Sequence, residues 1–379
     1  MRILTCMLLA GMLLPNTITA QSEVDSTKHR VTLTGSVSTY YASRSTNTIF
    51  AGEFQEFDRF LSSGARDENF GLDVARFIAS YSGSRIRGTF GLQAGDLPLS
   101  SWSAEYPNIQ EANVGFRIAE KWWVDAGFFT THIGYESIYP SQKFLSSTAY
   151  VSYNEPFFQS GLRVSYDPGP KWSLQAWVLN GYNSFVDNNR AKSVGVSVNY
   201  RPNERITLSY NNLLGDEAIP DRLAEFPTKY RMAHNLYWYH EWSEVFTTVL
   251  NLTGVTQTNS VNAREGGTAV AGGGFLTLHS QVAERWAVTG RLESYTEPDA
   301  FLGGRIATPG FNGNKGLRVD AITLGTEYRP VPSTYARLEL RYADQGDDIV
   351  LFEKDEERVN SRLELLITAG IAIDWTRRW

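Results

Sequence analysis

The stretch Ser361–Trp379, SRLELLITAGIAIDWTRRW, decides how the rest of the chain is read. Leu363, Leu365, Ile367, Ala369, Ile371, Ile373, Trp375 and Trp379 share one parity, while Glu364, Thr368, Gly370, Ala372 and Asp374 hold the other. Successive side chains of a strand point to opposite faces, so this is a strand with one apolar and one small or polar face. A strand so long at the C-terminal end has no later segment to pair with, and an open edge invites aggregation. Its partner is expected at the start, where Arg30–Tyr41 repeats the pattern with Val31, Leu33, Val37 and Tyr41. First strand bonded to last strand is a closed barrel. The competing reading, a soluble sandwich with the apolar face in a core, fails on the features that follow.

Ahead of that first strand the chain reads as an address. Arg2 gives a positive charge, Ile3–Leu14 an apolar run, and Thr17-Ile-Thr-Ala20 a cleavage site before Gln21. The run is too short to span a bilayer, so residues 1–20 are expected to act as a signal peptide and be removed, leaving residues 21–379 as one barrel domain. The single cysteine, Cys6, leaves with it. A cysteine-free mature chain has neither a disulfide framework nor a thiol nucleophile. Without Arg2, 34 basic residues face 41 acidic ones, a formal charge of −7, and that balance favours no nucleic-acid partner. No later apolar run reaches the length of a spanning helix. Aromatic residues make up 13 % of the chain while mean hydropathy is −0.29, the combination expected when only alternate residues touch lipid.

Short and long connections alternate from Val31 onward. Ser82-Gly-Ser84, Glu120-Lys121, Asp167-Pro-Gly-Pro-Lys171, Arg201-Pro-Asn-Glu204, Glu241-Trp-Ser-Glu244, Val282-Ala-Glu284 and Arg329-Pro-Val-Pro-Ser333 carry tight-turn chemistry, since Pro and Gly end ladders and set bends. Between them lie longer loops at 43–68, 96–107, 130–157, 181–190, 213–230, 255–267, 296–316 and 344–359. Seven turns and eight loops join about sixteen strands in an antiparallel up-and-down transmembrane β-barrel, an even number as bacterial single-chain barrels require. Short turns are then periplasmic and long loops extracellular. The alternation is clear in Ile86–Ala94, in Ala112–Ile118 with Trp122–Phe128, and in Ala336–Tyr342.

Tryptophans fix the environment. Trp122, Trp123, Trp172, Trp242, Trp286 and Trp379 lie at tight turns or at the terminus, and Tyr166, Tyr200, Tyr328 and Tyr335 flank the same turns. A soluble sandwich keeps large aromatics in mid-strand; gathered at one end of each hairpin they form a girdle at a membrane interface. Trp122, Trp172, Tyr200, Trp286, Tyr328 and Trp379 are its expected periplasmic members.

The opposite parity should face the lumen. It carries Arg85, Arg87, Glu111, Arg117, Asp125, Arg163, Arg291, Glu293, Glu327, Arg337, Glu339, Arg341 and Glu364. Both signs, in a barrel too wide for side chains to fill, suit a water-filled channel; pairing between strands would instead make them part of the wall. The balance of signs selects neither anions nor cations. The 130–157 loop could fold inward and narrow the passage with His132, Glu136 and Lys143. The 344–359 loop is acidic through Asp344, Asp347, Asp348, Glu353, Asp355, Glu356 and Glu357, which reads first as a solvated loop and second as a place for divalent cations shared with lipid phosphates.

Enzymatic readings find little. His234 is on the outward parity, yet no serine falls within reach of it to make a nucleophile–base pair. His132 with Glu136 is the one acid–histidine spacing a barrel protease could use. No Gly-rich phosphate loop, metal-spaced cluster or plug domain occurs, so no catalytic, cofactor or metal residue is assigned.

Glu111–Ser137, EANVGFRIAEKWWVDAGFFTTHIGYES, resembles the OmpL-like β-barrel porins of Gram-negative outer membranes. The similarity continues through Glu155-Pro-Phe-Phe-Gln-Ser-Gly-Leu-Arg163, Lys171-Trp-Ser, Val178-Leu-Asn-Gly181 and Tyr210-Asn-Asn-Leu-Leu-Gly-Asp-Glu217. These are hairpin and loop-edge patterns, and the resemblance implies a channel-forming barrel without bringing any ligand residue with it. The expectation is passive diffusion of small hydrophilic solutes, no chemistry and no cofactor. Expected partners are outer-membrane lipid, the barrel-assembly machinery through the C-terminal strand, and two further copies in a homo-trimer. The alternative is a barrel with occluded lumen whose outer loops bind a ligand or partner, and after that a barrel hydrolase.

Overall fold

Each alternating segment forms a strand in the computed structural model, which describes residues 29–48, 63–218, 228–261, 266–302, 316–346, 352–355 and 357–379. The segment 1–20 read as a signal peptide lies outside the described residues. The first strands are β1 (Arg30–Arg44), β2 (Asn69–Ser82), β3 (Ile86–Ala94), β4 (Ile109–Ala119) and β5 (Trp122–Thr130). After a long loop come β6 (Phe158–Gly169), β7 (Trp172–Leu179), β8 (Ser193–Asn203), β9 (Ile206–Asp216) and β10 (Tyr230–Ser243). The rest are β11 (Phe246–Thr258), β12 (Thr268–Ala283), β13 (Trp286–Glu297), β14 (Leu317–Tyr328), β15 (Thr334–Asp344) and β16 (Ser361–Arg378). All sixteen close into one antiparallel barrel in sequence order.

The seam joins β1 to β16 without a register shift, from Arg30 opposite Arg378 to Arg44 opposite Glu364. Beyond it, His29 and Trp379 exchange backbone hydrogen bonds of 2.8 and 3.0 Å. Lipid offers no substitute for these bonds, and each backbone group left unpaired there costs several kcal/mol. Closure is therefore what makes the strands stable in a membrane.

Tight turns fall within one or two residues of the Pro and Gly signals. At Glu284-Arg285, β12 runs on to Ala283 and takes up the extra residue as a register shift between Gln281 and Ala283. Similar shifts occur at the ends of β4, β6, β8 and β10, where a bulge adds twist at the barrel rim. Outside the barrel, short strands at Asn47–Thr48, Phe352–Lys354 and Glu357–Val359 knit the first and last long loops together beside the seam.

The apolar parity faces outward along every strand; Leu324 on β14 is 62 % exposed. At the tight-turn end, outward rings pair across neighbouring strands: Trp122 with Tyr166 (4.3 Å), Trp172 with Tyr200 (4.4 Å) and Trp286 with Tyr328 (4.8 Å). Trp379 stacks on His29. Two aromatics read from the sequence as part of this set face inward instead. Trp123 follows Trp122 directly and must take the opposite face; it is buried beneath Arg87 and Arg117. Tyr335 is buried in the lumen, its hydroxyl donating to Ser38 Oγ at 3.0 Å.

Leu324→Arg places a charge on the lipid face near mid-height and is expected to cost about 2–4 kcal/mol. Denaturant unfolding from lipid vesicles checks this; an unchanged midpoint would mean that this face does not meet lipid.

Candidate functional site

The segment between β5 and β6, residues 131–157, is rich in apolar and small polar residues: Ile133, Tyr135, Ile138, Tyr139, Leu145, Tyr150 and Val151. A loop of that composition gains by leaving water. Part of the inner wall is apolar too, through Val249, Phe275, Tyr295, Leu317, Val319, Ala321 and Ala343. The loop turns into the barrel and buries Tyr150 and Val151 against that wall. On the other side Ile133 joins Trp177, Leu213, Ala233 and Val255, and Tyr139 joins Val74, Leu97 and Trp102.

Polar bonds fix the path. His132 Nε2 donates to the Asn212 carbonyl (3.0 Å), Nδ1 meets the Gln159 amide (2.8 Å), and its ring stacks on Trp177. Burial lowers the pKa of this histidine. Glu136 pairs with Arg291 at 2.9 Å and accepts the Ala149 N–H. The Tyr139 hydroxyl donates to Gln93 (2.7 Å) beneath the Arg76 guanidinium. Arg337 donates to the carbonyls of Pro140 (2.8 Å) and Lys143 (2.6 Å) while paired with Glu327. Glu339 accepts the N–H groups of Ser146 and Ser147, and Glu293 that of Tyr150 at 2.7 Å. Arg341 lies over the Tyr150 ring at 4.0 Å. Lys143 Nζ donates to Thr148 at 2.7 Å, and burial lowers its pKa to about 8.

Two glycines make room. A Cβ on Gly325 would land on the Leu145 side chain, the loop's tip against β14. Gly134, at φ +90°, would strike the Glu155 carboxylate, and a positive φ excludes most other residues there as well. Glu155 is buried among Asn235, Asn251 and Thr253, whose side chains all donate to its Oε1. Burial nonetheless pushes its carboxyl up to about 7.

The opposite wall differs. Asp125 on β5, wholly buried, accepts from Arg87 of β3 (2.6 Å) and Arg163 of β6 (3.1 Å). Gly115 lies where any Cβ would displace Asp125. Arg87 and Arg163 keep 18 % and 21 % of their side-chain surface open. Arg117 lies over Trp123, and Glu111 accepts from Asn113 at 2.9 Å.

All the charged residues singled out from the strand sequences thus take the inward parity, with Arg85 at the turn before β3, but their surroundings fall into two kinds. Arg291, Glu293, Glu327, Arg337, Glu339, Arg341 and Glu364 are buried among one another and under the loop. Arg87, Glu111, Arg117 and Arg163 are in part open to the interior. His132 and Glu136 bond to different walls, so no acid–histidine pair forms. His234 faces outward and bonds the Tyr210 hydroxyl at 2.7 Å. The acidic 344–359 loop lies partly outside the described residues, and among those described no cluster of metal-ligating groups forms. Sequence reading passed over Glu155, Tyr139, Tyr150 and Gly325. Glycine at an inward position between Thr323 and Glu327 was the one available signal, since such a gap needs a filler.

A family model described as "Putative beta-barrel porin-2, OmpL-like" matches residues 30–373. No curated protein matches the chain. Among solved structures, the anion-selective porin from Comamonas acidovorans is 13 % identical with a TM-score of 0.61, covering 91 % of this chain and 100 % of that one. The outer membrane channel DcaP of Acinetobacter baumannii is 12 % identical, TM-score 0.60, covering 90 % and 97 %. OmpT of Vibrio cholerae, in a trimer form, is 9 % identical, TM-score 0.56, covering 91 % and 99 %. Identities this low show the shared barrel alone.

Two outcomes test the loop's seating. Between the usual carboxyl value of 4.5 and about 7, the docked loop holds a Glu155 proton that a released loop gives up. Docking is therefore firmest at low pH and weakens as pH rises through that window. Hydrogen exchange of the 132–157 amides should speed up across it beyond the intrinsic rate, and Glu155→Gln should abolish the excess. Gly325→Val should cost about 1–3 kcal/mol by overpacking, measured by unfolding, whereas Gly290→Val on the outward face should be nearly neutral.

Proposed function

Since this chain belongs to the putative beta-barrel porin-2, OmpL-like family and is a porin of the bacterial outer membrane, we propose that it passes small hydrophilic solutes by passive diffusion down their gradients. The observation that carries this is the uneven lumen: a loop that crosses it and is clamped by the buried charges of β13 and β15, and a polar, charged stretch around Asp125 left in part open. Such an arrangement narrows the passage to hydrated small molecules and sorts them by size and charge. Arg87, Glu111, Arg117 and Arg163 are the groups proposed to line it, with the 131–157 loop as its constriction. No reaction is part of this function. The closing strand β16 is proposed as the segment that the barrel-assembly machinery engages, and a homo-trimer as the assembled form.

A second reading draws on the extent of the filling. If the loops occlude the lumen in the membrane, the barrel serves to display its outer loops to a partner.

Purified protein in a planar bilayer should give stepwise conductance. Deleting the loop tip, residues 141–148, should raise the unit conductance, because the shortened loop no longer narrows the lumen. A folded barrel that remains silent in both forms would overturn the diffusion reading and favour loop-mediated binding.

A further inference from the structure

Which ions a pore admits depends on the charges that meet water. Along the sequence the inward charges of the two walls look alike, and the 131–157 loop is what separates them. Under the loop, Arg291, Arg337, Arg341 and Arg362 stand against Glu136, Glu293, Glu327 and Glu364, joined by contacts from 2.6 to 3.8 Å, with Glu339 between Arg337 and Arg341 on β15. The side chains of the paired groups are at most 9 % exposed, and Glu339 is spent on loop backbone N–H groups. This set is nearly neutral, buried, and withdrawn from permeating ions.

Across the lumen the order is reversed: the acid lies behind and the bases in front. Asp125 has no exposed side-chain surface, whereas both arginines that bind it do. Arg117 adds a third guanidinium, itself only partly buried although its Nε is enclosed and has no hydrogen-bond partner among the described residues. Aromatic rings back all three. Arg87 and Arg117 lie 4.5 and 5.0 Å from the Trp123 ring, and Arg163 lies 4.9 Å from Phe129 and 5.3 Å from Trp177. A guanidinium held on a ring gives up little rotamer freedom when it binds an anion, and its free edge remains a fork of N–H donors. Glu111, bonded to Asn113, is the other carboxylate of this group among the described residues, Asp167 lying farther along β6 at the tight turn. Three cations thus meet two anions, one of which water does not reach.

We infer that this pore prefers anions, and that Arg87, Arg117 and Arg163 set the preference. The inference rests on the porin reading above and names the charge class of its solutes. The loop confers selectivity indirectly, by covering the wall whose charges cancel.

The test is the reversal potential of the full-length protein in a planar bilayer under a potassium chloride gradient. The expected sign is that of chloride permeating faster than potassium. Arg117→Glu, which breaks no ion pair among the described residues, should lower the chloride-to-potassium permeability ratio by about threefold, the effect on two oppositely charged ions of two unit charges across about 10 Å of water screened by about 0.1 M salt. Arg163→Gln should lower it less, and Arg318→Gln, on the outward face of β14, should leave it unchanged. Cation preference in the wild type overturns the inference, as does a ratio indifferent to Arg117→Glu, while both leave the pore intact. A silent barrel overturns the inference and the porin reading together. Should Arg117→Glu fail to fold, the wild-type sign and Arg163→Gln still decide.

Discussion

Every feature of this molecule follows from one constraint: in hydrocarbon, a backbone amide has no partner but another backbone. Sixteen strands can meet that demand only as a ring, and the ring is completed by the unbroken register between β1 and β16. Once closed, the wall fixes two environments of opposite demand. The outward parity is apolar over most of its height; the inward parity is free to carry charge. The second freedom is what the protein uses.

The interior shows how a wide barrel is narrowed without filling it with wall side chains. The inserted loop supplies apolar residues to the apolar part of the wall and backbone N–H and C=O groups to the charged part. Glu293, Glu339, Arg337 and Arg341 each bond loop backbone, so wall charges act as clamps for a chain segment that has little regular structure of its own. Charged groups make shorter and stronger hydrogen bonds than neutral ones, which suits a clamp on a segment held by few regular backbone bonds. The wall near Asp125 is left in part open because the loop meets β3 and β6 at Gln93 and Gln159, nearer the long-loop ends of those strands.

How much of this was legible in the sequence depends on the range of the interaction. Parity and turn chemistry act between neighbours, so strand number, closure and the inward set could be read from Leu363–Trp379 and the Pro/Gly turns. The Trp122-Trp123 pair misled only where the period-two rule was not pressed: adjacent residues cannot both face lipid. The loop's seating could be raised as a possibility and no further. Its contacts join residues such as Ser146 and Thr368, separated by more than two hundred positions, and no local pattern encodes such a meeting. For the same reason Arg291 and Arg163 look equivalent in sequence although one is sealed and the other open.

The seam between residues 30–44 and 361–378 also has a consequence in time. Its strands are the first and nearly the last parts of the barrel to leave the ribosome, so the contact that removes both open edges has almost the greatest sequence separation the chain permits. Native pairing at such distance is slow. Until β16 pairs, any sheet formed by the earlier strands is open, with two unsatisfied margins. Such an open sheet is aggregation-prone, so survival up to closure is a matter of kinetics before the thermodynamics of the finished ring can apply.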